Sequence, residues 1–286
     1  MGGKKVKYAL MIDINRCSIC YACQVACKDE FVGNPYPPYS YPQPDIEQEW
    51  IKVTEIERGK YPHVKVYPIP VLCMHCDKAP CIDACPVPDC IYRTENGVVI
   101  IDPSKCDLSK CNGRKPCIEG CPYGVIFFNE DKNICQKCTL CIHRLEKGKE
   151  PACVDACPSS VFLFGEESKI LEEVKKRGAK WMHPEYEAEP RVYYVGLPSI
   201  SLAGHLIDAQ SLMDVPGADV TITDTRTGSS ISCKTNVAGN FLAEDLEMDN
   251  TYTVKIECQG YLPRTIDRVP TDIEYKHLGD IKLAKA

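Results

Sequence analysis

Eighteen of the twenty cysteines in this 286-residue chain fall between Cys17 and Cys157, and their spacing is the first chemistry on offer. Cys17, Cys20, Cys23 and Cys27 form a C-x2-C-x2-C-x3-C run. Three thiolates on one tight loop can hold three corners of an iron-sulfur cubane, while the fourth, starting the next helix, points toward a different cluster. Cys73, Cys76, Cys81 and Cys85 follow in CMHCDKAPCIDACP, with a proline after the last thiol. A zinc ribbon needs only two cysteine pairs per metal, and gives no reason for the closely spaced third and fourth members or the recurring Cys-Pro. Disulfides account no better for two quartets that share cluster spacing.

A third group, Cys106, Cys111, Cys117 and Cys121, is more widely spaced but ends in CPYG and follows the strand-like run GVVIIDPSKC. The fourth is Cys138, Cys141, Cys153 and Cys157, with IHRLEKGKEPA looped out inside it and Cys135 outside the set. Cys90 and Cys135 lie close to these motifs and read as buried thiols, alternative ligation being the other reading. Cys233 and Cys258 read as reduced core cysteines rather than a cross-sandwich disulfide. His75, between two thiols, is either a hydrogen-bond donor behind a cluster or a plain loop residue. Sixteen thiolates on four oxidised cubanes would add about -8 to the sequence charge, so the loops must supply N–H donors and burial. No nucleophile triad, glycine-rich nucleotide loop or paired-carboxylate pattern accompanies them, so no catalytic centre is read in this chain.

These thiols need elements to hold them, and composition divides the chain. The cysteine-rich part ends near residue 165, and Glu166–Lys180 carries Ile170, Leu171 and Val174 at the spacing of a short closing helix. The stretch MHPEYEAEPRVYYVGLPS lacks clear periodicity and is bracketed by Pro184, Pro190 and Pro198, as a connector would be. From Ser199 onward, alternating runs punctuated by Gly228, Gly239 and Gly260 predict about seven short strands in a small antiparallel sandwich. Val220 and Ile222, then Tyr252, Val254 and Ile256, should face its core. The segment GNPYPPYSYPQP, residues 33–44, is either an aromatic docking loop or a proline-rich segment packed on its own domain.

The net charge of -6 excludes a basic nucleic-acid footprint, and no run is long enough to span a bilayer, so direct membrane insertion is not expected. The N-terminal apolar run is broken at Asp13 without a small-residue cleavage pattern, which predicts no cleaved signal and a soluble, cytoplasmic protein. A partner carrying a twin-arginine signal could still export a folded complex.

With IDPSKC, CPYGVIFFN, QKCTLC and PACVDACP in view, residues 1–165 resemble the four-cluster electron-transfer subunits that accompany molybdopterin enzymes of the dimethyl sulfoxide reductase family. CMHC, VIIDP, QKCT and the PRVYY connector narrow the likeness to small subunits of the pyrogallol-phloroglucinol transhydroxylase type, with catechol dehydroxylases among the relatives. SLAGHLIDAQ, GADVTITD, TNVAGNF and YTVKIECQGY resemble carboxypeptidase-regulatory-like or Cna-B-like modules, which bind or space rather than catalyse. The expected fold is α+β: a duplicated dicluster ferredoxin-like domain over 1–165, a helix and connector over 166–198, and a β-sandwich interaction domain over 199–286.

The resemblance implies a nested pairing of the motifs, first with fourth and second with third. The implied ligand sets are Cys17, Cys20, Cys23 and Cys157; Cys27, Cys138, Cys141 and Cys153; Cys73, Cys76, Cys81 and Cys121; and Cys85, Cys106, Cys111 and Cys117. Four 4Fe-4S clusters are expected, or three if the last set binds none, as in the transhydroxylase type, which lacks matching cysteines. The resemblance further implies a large catalytic subunit holding molybdenum or tungsten on pyranopterin, with a further copy of the heterodimer as a second partner. The function it implies is electron transfer for transhydroxylation or reductive dehydroxylation of polyhydroxylated aromatics. A respiratory subunit of polysulfide, nitrate or formate type beside a membrane anchor, and a scaffold with structural clusters, are the rival readings.

Overall fold

The computed structural model describes residues 6–60 and 63–286; Met1–Lys5, part of the N-terminal stretch read above for a signal, and Tyr61–Pro62 lie outside them. The chain opens with β1 (Tyr8–Asp13) and α1 (Ala22–Phe31), followed by two paired ten-residue strands, β2 (Ile51–Lys60) and β3 (His63–Leu72). Short elements then carry the middle cysteines: α2 (Pro80–Ala84), β4 (Ile91–Arg93), β5 (Val99–Ile101) and α3 (Pro116–Glu119). After them come β6 (Phe127–Asn129), β7 (Ile134–Gln136), α4 (Ile142–Leu145) and α5 (Ala152–Asp155). β8 (Phe162–Glu166), α6 (Glu167–Arg177) and β9 (Val192–Val195) complete this first unit.

β1 is the central strand of a sheet ordered β8-β1-β9, antiparallel to β8 and parallel to β9. Its YALMID sequence is buried on both faces, as a central strand must be. Leu10 and Ile12 face the cysteine-lined core, while Ala9 and Met11 face Ile170 of α6, the period of two expected of a strand. Ile12 is 0 % exposed, which stabilises the fold by roughly 1.5–3 kcal/mol. α6 stops at Gly178, whose φ of 62° caps the helix after Lys175, Lys176 and Arg177 have matched the negative end of its dipole. The PRVYY stretch, without periodicity in the sequence, supplies β9 because its hydrogen bonds run to β1 rather than to a sequence neighbour.

The proline-rich segment 33–44 packs on its own domain. Tyr36 stacks on His143 with ring centroids 3.6 Å apart, and Gln136 donates to the Tyr41 and Pro42 carbonyls at 2.9 and 3.2 Å.

The second unit comprises residues 57–66 and 198–286. It contains β10 (Ile200–Asp208), β11 (Asp219–Asp224), β12 (Ser230–Lys234), β13 (Asn240–Leu246), β14 (Thr251–Glu257), β15 (Arg264–Pro270) and β16 (Tyr275–Leu283). Two sheets, β13-β10-β16 and β12-β11-β14-β15, enclose a core that includes Val220, Ile222, Tyr252, Val254 and Ile256. All pairs are antiparallel except β10 with β16, which the rest of the domain separates in sequence, as a parallel pair requires. Gly204 in β10 is needed for close packing, since a Cβ there would meet the Phe241 ring at 2.6 Å. The tips of β2 and β3 join this unit through Arg58, 5 % exposed, which donates to Ser201 Oγ at 3.0 Å and to the Ser199 carbonyl. Composition drew the boundary at Pro198 and could not show that contribution.

Candidate metal centres

Each cysteine group ends in a pair four residues apart: Cys23 and Cys27, Cys81 and Cys85, Cys117 and Cys121, Cys153 and Cys157. The first member of each lies in the opening turn of a helix, α1, α2, α3 or α5. Proline at the start of α2 and α3 suits that position, where no helical partner for its missing N–H exists. One thiol of each pair thus faces one centre, and the other is carried a helical turn onward.

Three groups share a backbone device invisible in composition. The residue before the second cysteine, Ile19, His75 or Leu140, has a φ of 57°, 47° or 52°. A β-branched residue such as Ile19 adopts this left-handed conformation only when its surroundings impose it. A left-handed residue of this kind is what lets neighbouring N–H groups converge on an anion or a cluster sulfur. Leu140 donates its N–H to Cys138 Sγ at 3.3 Å, Ala152 to Cys141 Sγ at 3.5 Å, and Val161 to Cys157 Sγ at 3.4 Å. Between Cys106 and Cys111 no such residue occurs; the left-handed positions there are Asn112 and Gly113, just past the second thiol.

The structure brings the thiols of two of the expected sets together around cavities. Cys85, Cys106, Cys111 and Cys117 line one cavity, and Cys73, Cys76, Cys81 and Cys121 line another. Burial first, then the charges of Cys85, Cys106 and Cys117, push the Cys111 thiol up. For Cys76, burial and then Cys73, Cys121 and Cys81 raise it to about 12. Cys27 is raised by burial and then by Cys138 and Cys141, while Cys17 is raised by burial and then, against a backbone N–H at Ile19, by Cys20 and Cys157. Thiols packed this closely resist ionising together, and a bound cation reverses that preference by holding each as thiolate. Among the described residues no three such side chains close on a single-ion site, whereas the thiols lining the two cavities are the donor set a cubane takes.

Electrostatic neighbours also order the four gatherings. Cys153 feels Cys23 of the first set, Cys138 feels Cys73, and Cys81 feels Cys117. In the four-set reading these neighbours run in the order Cys17 set, Cys27 set, Cys73 set, Cys85 set. The first and last contain the partly exposed thiols, Cys20 being exposed outright, while nearly all thiols of the middle two are buried.

Cys90 and Cys135 stand on the wall of the Cys85 cavity, which six thiols therefore line. Cys135 donates its backbone N–H to Cys106 Sγ at 3.2 Å, and the nearby Cys135 and Cys90 thiols, with that N–H, hold Cys106 down. His75 is buried, with Nδ1 accepting the Val99 N–H at 3.1 Å; burial first, then the Lys137 charge, keeps its ring neutral. Spacing does not single out Lys137, 2 % exposed, whose only signal in the sequence is a charged residue abutting Cys138.

The 4Fe-4S dicluster domain pattern matches residues 64–167, and the carboxypeptidase regulatory-like domain pattern matches residues 201–283. The chain is 33 % identical over 288 residues to the pyrogallol hydroxytransferase small subunit of Pelobacter acidigallici, covering 97 % of this chain and 99 % of that one. It is 32 % identical to a tetrathionate reductase subunit of Salmonella typhimurium, over 68 % of this chain and 75 % of the relative. It is 33 % identical to the iron-sulfur subunit of nitrate-inducible formate dehydrogenase of Escherichia coli, over 64 % and 62 %. No helix among the described residues is long and apolar enough to cross a membrane. Cluster-spaced thiols, the dicluster match and these relatives agree: the chain belongs to the family of iron-sulfur small subunits of molybdenum enzymes.

Proposed function

We propose that this chain is the electron-transfer subunit of a molybdenum or tungsten pterin enzyme acting on polyhydroxylated aromatics, and that it carries four 4Fe-4S clusters. The ligands in this reading are the Cys17, Cys20, Cys23, Cys157 set; the Cys27, Cys138, Cys141, Cys153 set; the Cys73, Cys76, Cys81, Cys121 set; and the Cys85, Cys106, Cys111, Cys117 set. The observation that carries it is the extent of the likeness to the pyrogallol hydroxytransferase small subunit, which spans 97 % of the chain, sandwich included. The likeness to the tetrathionate and formate relatives covers 68 % and 64 %.

When bound, each cluster supplies a one-electron carrier. The chain's own work is to hold iron through thiolates, aim N–H groups at sulfur and keep water from the middle sets. Four sets of thiols in linear order favour net electron flow, and so reductive dehydroxylation, over redox-neutral transhydroxylation. Dehydroxylation replaces an aromatic C–OH by C–H, takes up two electrons and two protons and releases water.

The test is purification of the native complex with its large partner, analysis of its metals, and assay on pyrogallol and catechol with a low-potential donor. About sixteen iron and sixteen sulfide per chain, molybdenum or tungsten in the partner, and donor oxidation matched to loss of a hydroxyl are expected. Hydroxyl transfer without donor consumption would favour transhydroxylation. Turnover confined to tetrathionate or formate, or a co-purifying haem-bearing membrane chain, would overturn the aromatic reading.

A further inference from the structure

Lys137 is a long cation in the wrong place for a surface residue. Its side chain is 2 % exposed, and its Nζ donates to the Val99 carbonyl and, at 3.1 Å, to the Cys138 carbonyl. Among the described residues no Asp or Glu oxygen lies within 4.0 Å of it. An ammonium buried without an opposing charge is strongly disfavoured, so the anion that balances Lys137 has to be sought in its surroundings. Those surroundings are thiols of two different sets: Lys137 lines the cavity of Cys73, Cys76, Cys81 and Cys121, and it directly precedes Cys138 in the chain. Its charge acts on both Cys81 and Cys138.

His75 lines the same cavity and is fastened to the same residue. Its Nδ1 accepts the Val99 N–H, so the proton of the neutral ring sits on Nε2. That Nε2 is buried and has no hydrogen-bond partner among the described residues. A buried donor left unpaired is costly, and a pair of side chains that takes up both main-chain polar groups of Val99 is held rigidly enough to present one. The cavity of the Cys85 set differs: its cations are Arg114, which is exposed, and Lys115, which is half-buried with its ammonium 3.8 Å from the Phe128 ring centroid. Solvent screens such charges far more than it screens Lys137.

We propose that Lys137 and His75 are positioning residues for the two middle clusters: Lys137 balances the charge of both, His75 Nε2–H donates to sulfur of the Cys73 set, and together they raise those reduction potentials. The inference rests on the four-cluster reading above. Reduction adds one electron to an already anionic cluster, so a fixed cation and a fixed N–H donor stabilise the reduced form more than the oxidised form. No proton moves in this step.

The experiment is a dithionite titration of the native holo-complex, followed by electron paramagnetic resonance, with iron counted in every variant. Lys137→Gln should lower the reduced-to-oxidised ratio of two clusters at least tenfold at fixed potential, a displacement of about 59 mV for one electron, and leave the two outer clusters unmoved. Lys137→Arg, which keeps the charge, should stay near wild type. His75→Asn, which tolerates the left-handed backbone but cannot reach as far, should shift one cluster only. Full iron with unmoved potentials in both Lys137→Gln and His75→Asn would overturn the proposal and leave the four-cluster reading intact. A wild-type complex without clusters would instead sink the reading itself. Should Lys137→Gln lose iron, His75→Asn decides alone: a negative shift of one cluster supports the proposal and no shift overturns it.

Discussion

Arg191 clasps Asp77: one guanidinium nitrogen lies 2.6 and 2.8 Å from the two carboxylate oxygens, and Nε is 3.1 Å from the first. Asp77 directly follows Cys76, and Arg191 stands beside β9, so the clasp ties the second cysteine loop to the sheet through β1. The backbone repeats the tie. Arg191 N–H donates to the Met74 carbonyl at 3.0 Å, and Asp77 and Lys78 donate back to Glu189 and Ala188 at 2.8 and 3.1 Å. The PRVYY connector is thus the back wall of a cysteine loop.

Arg191→Ala should therefore destabilise the first unit. Removing one partner of a fully buried ion pair costs about 3–5 kcal/mol, and because Asp77 is 36 % exposed, about 2 kcal/mol is expected here. Thermal unfolding of the holo-protein measures the loss, and iron counted after mild chelation should show early release of about four iron atoms, those of the Cys73 set. Unchanged release kinetics would mean that the clasp does not support that loop.

Cys111→Ser should cost about four iron atoms, or convert that site to a three-iron form, with the spectra of the other sites preserved. Cys90→Ala and Cys135→Ala should keep the full iron count, because in this reading both thiols line the cavity without ligating iron, and Cys135 reaches Cys106 through its backbone N–H. Iron loss in either alanine variant, with Cys111→Ser unaffected, would exchange the ligands of that set.

The sandwich offers a rigid β surface and no chemistry, which suits an interaction role. Removing residues 199–286 should weaken assembly with the large subunit while leaving the iron content unchanged. The strand tips 57–66 belong to the same unit, so the clean deletion also replaces them with a short turn; otherwise Arg58 loses Ser199 and Ser201. Co-purification yield and iron per chain are the two readouts. Loss of all iron would make the sandwich part of the cluster fold.

His205 lies between two carboxylates, its Nδ1 3.0 Å from Asp280 Oδ1 and its Nε2 2.9 Å from Asp214 Oδ1. Burial works against the imidazolium, but the hydrogen bonds and charges of Asp280 and Asp214 outweigh it and leave the folded value raised. A raised folded value gives stability that is complete below the unfolded value of about 6.5 and is lost as pH rises through the folded one. The sandwich transition should accordingly melt at lower temperature as pH climbs past about 6.5, and His205→Gln should flatten that dependence. A profile identical in wild type and variant would remove His205 as its source.

What the amino-acid sequence determined by itself is whatever depends on near neighbours. Clusters were legible because thiolates three or four residues apart must lie on one loop or helical turn, and the sandwich because Val220, Ile222, Tyr252, Val254 and Ile256 alternate with polar residues. Tertiary structure decided what depends on distant chain segments meeting. That Cys121 shares a cavity with Cys73, that PRVYY becomes a strand beside β1, and that residues 57–66 join the sandwich are contacts between distant parts of the chain, and no local period encodes them. The same holds for Lys137: a lysine beside a cysteine reads as solvated until the fold closes the Val99 carbonyl on its ammonium and sets it on the wall of the cavity that Cys73, Cys76, Cys81 and Cys121 line.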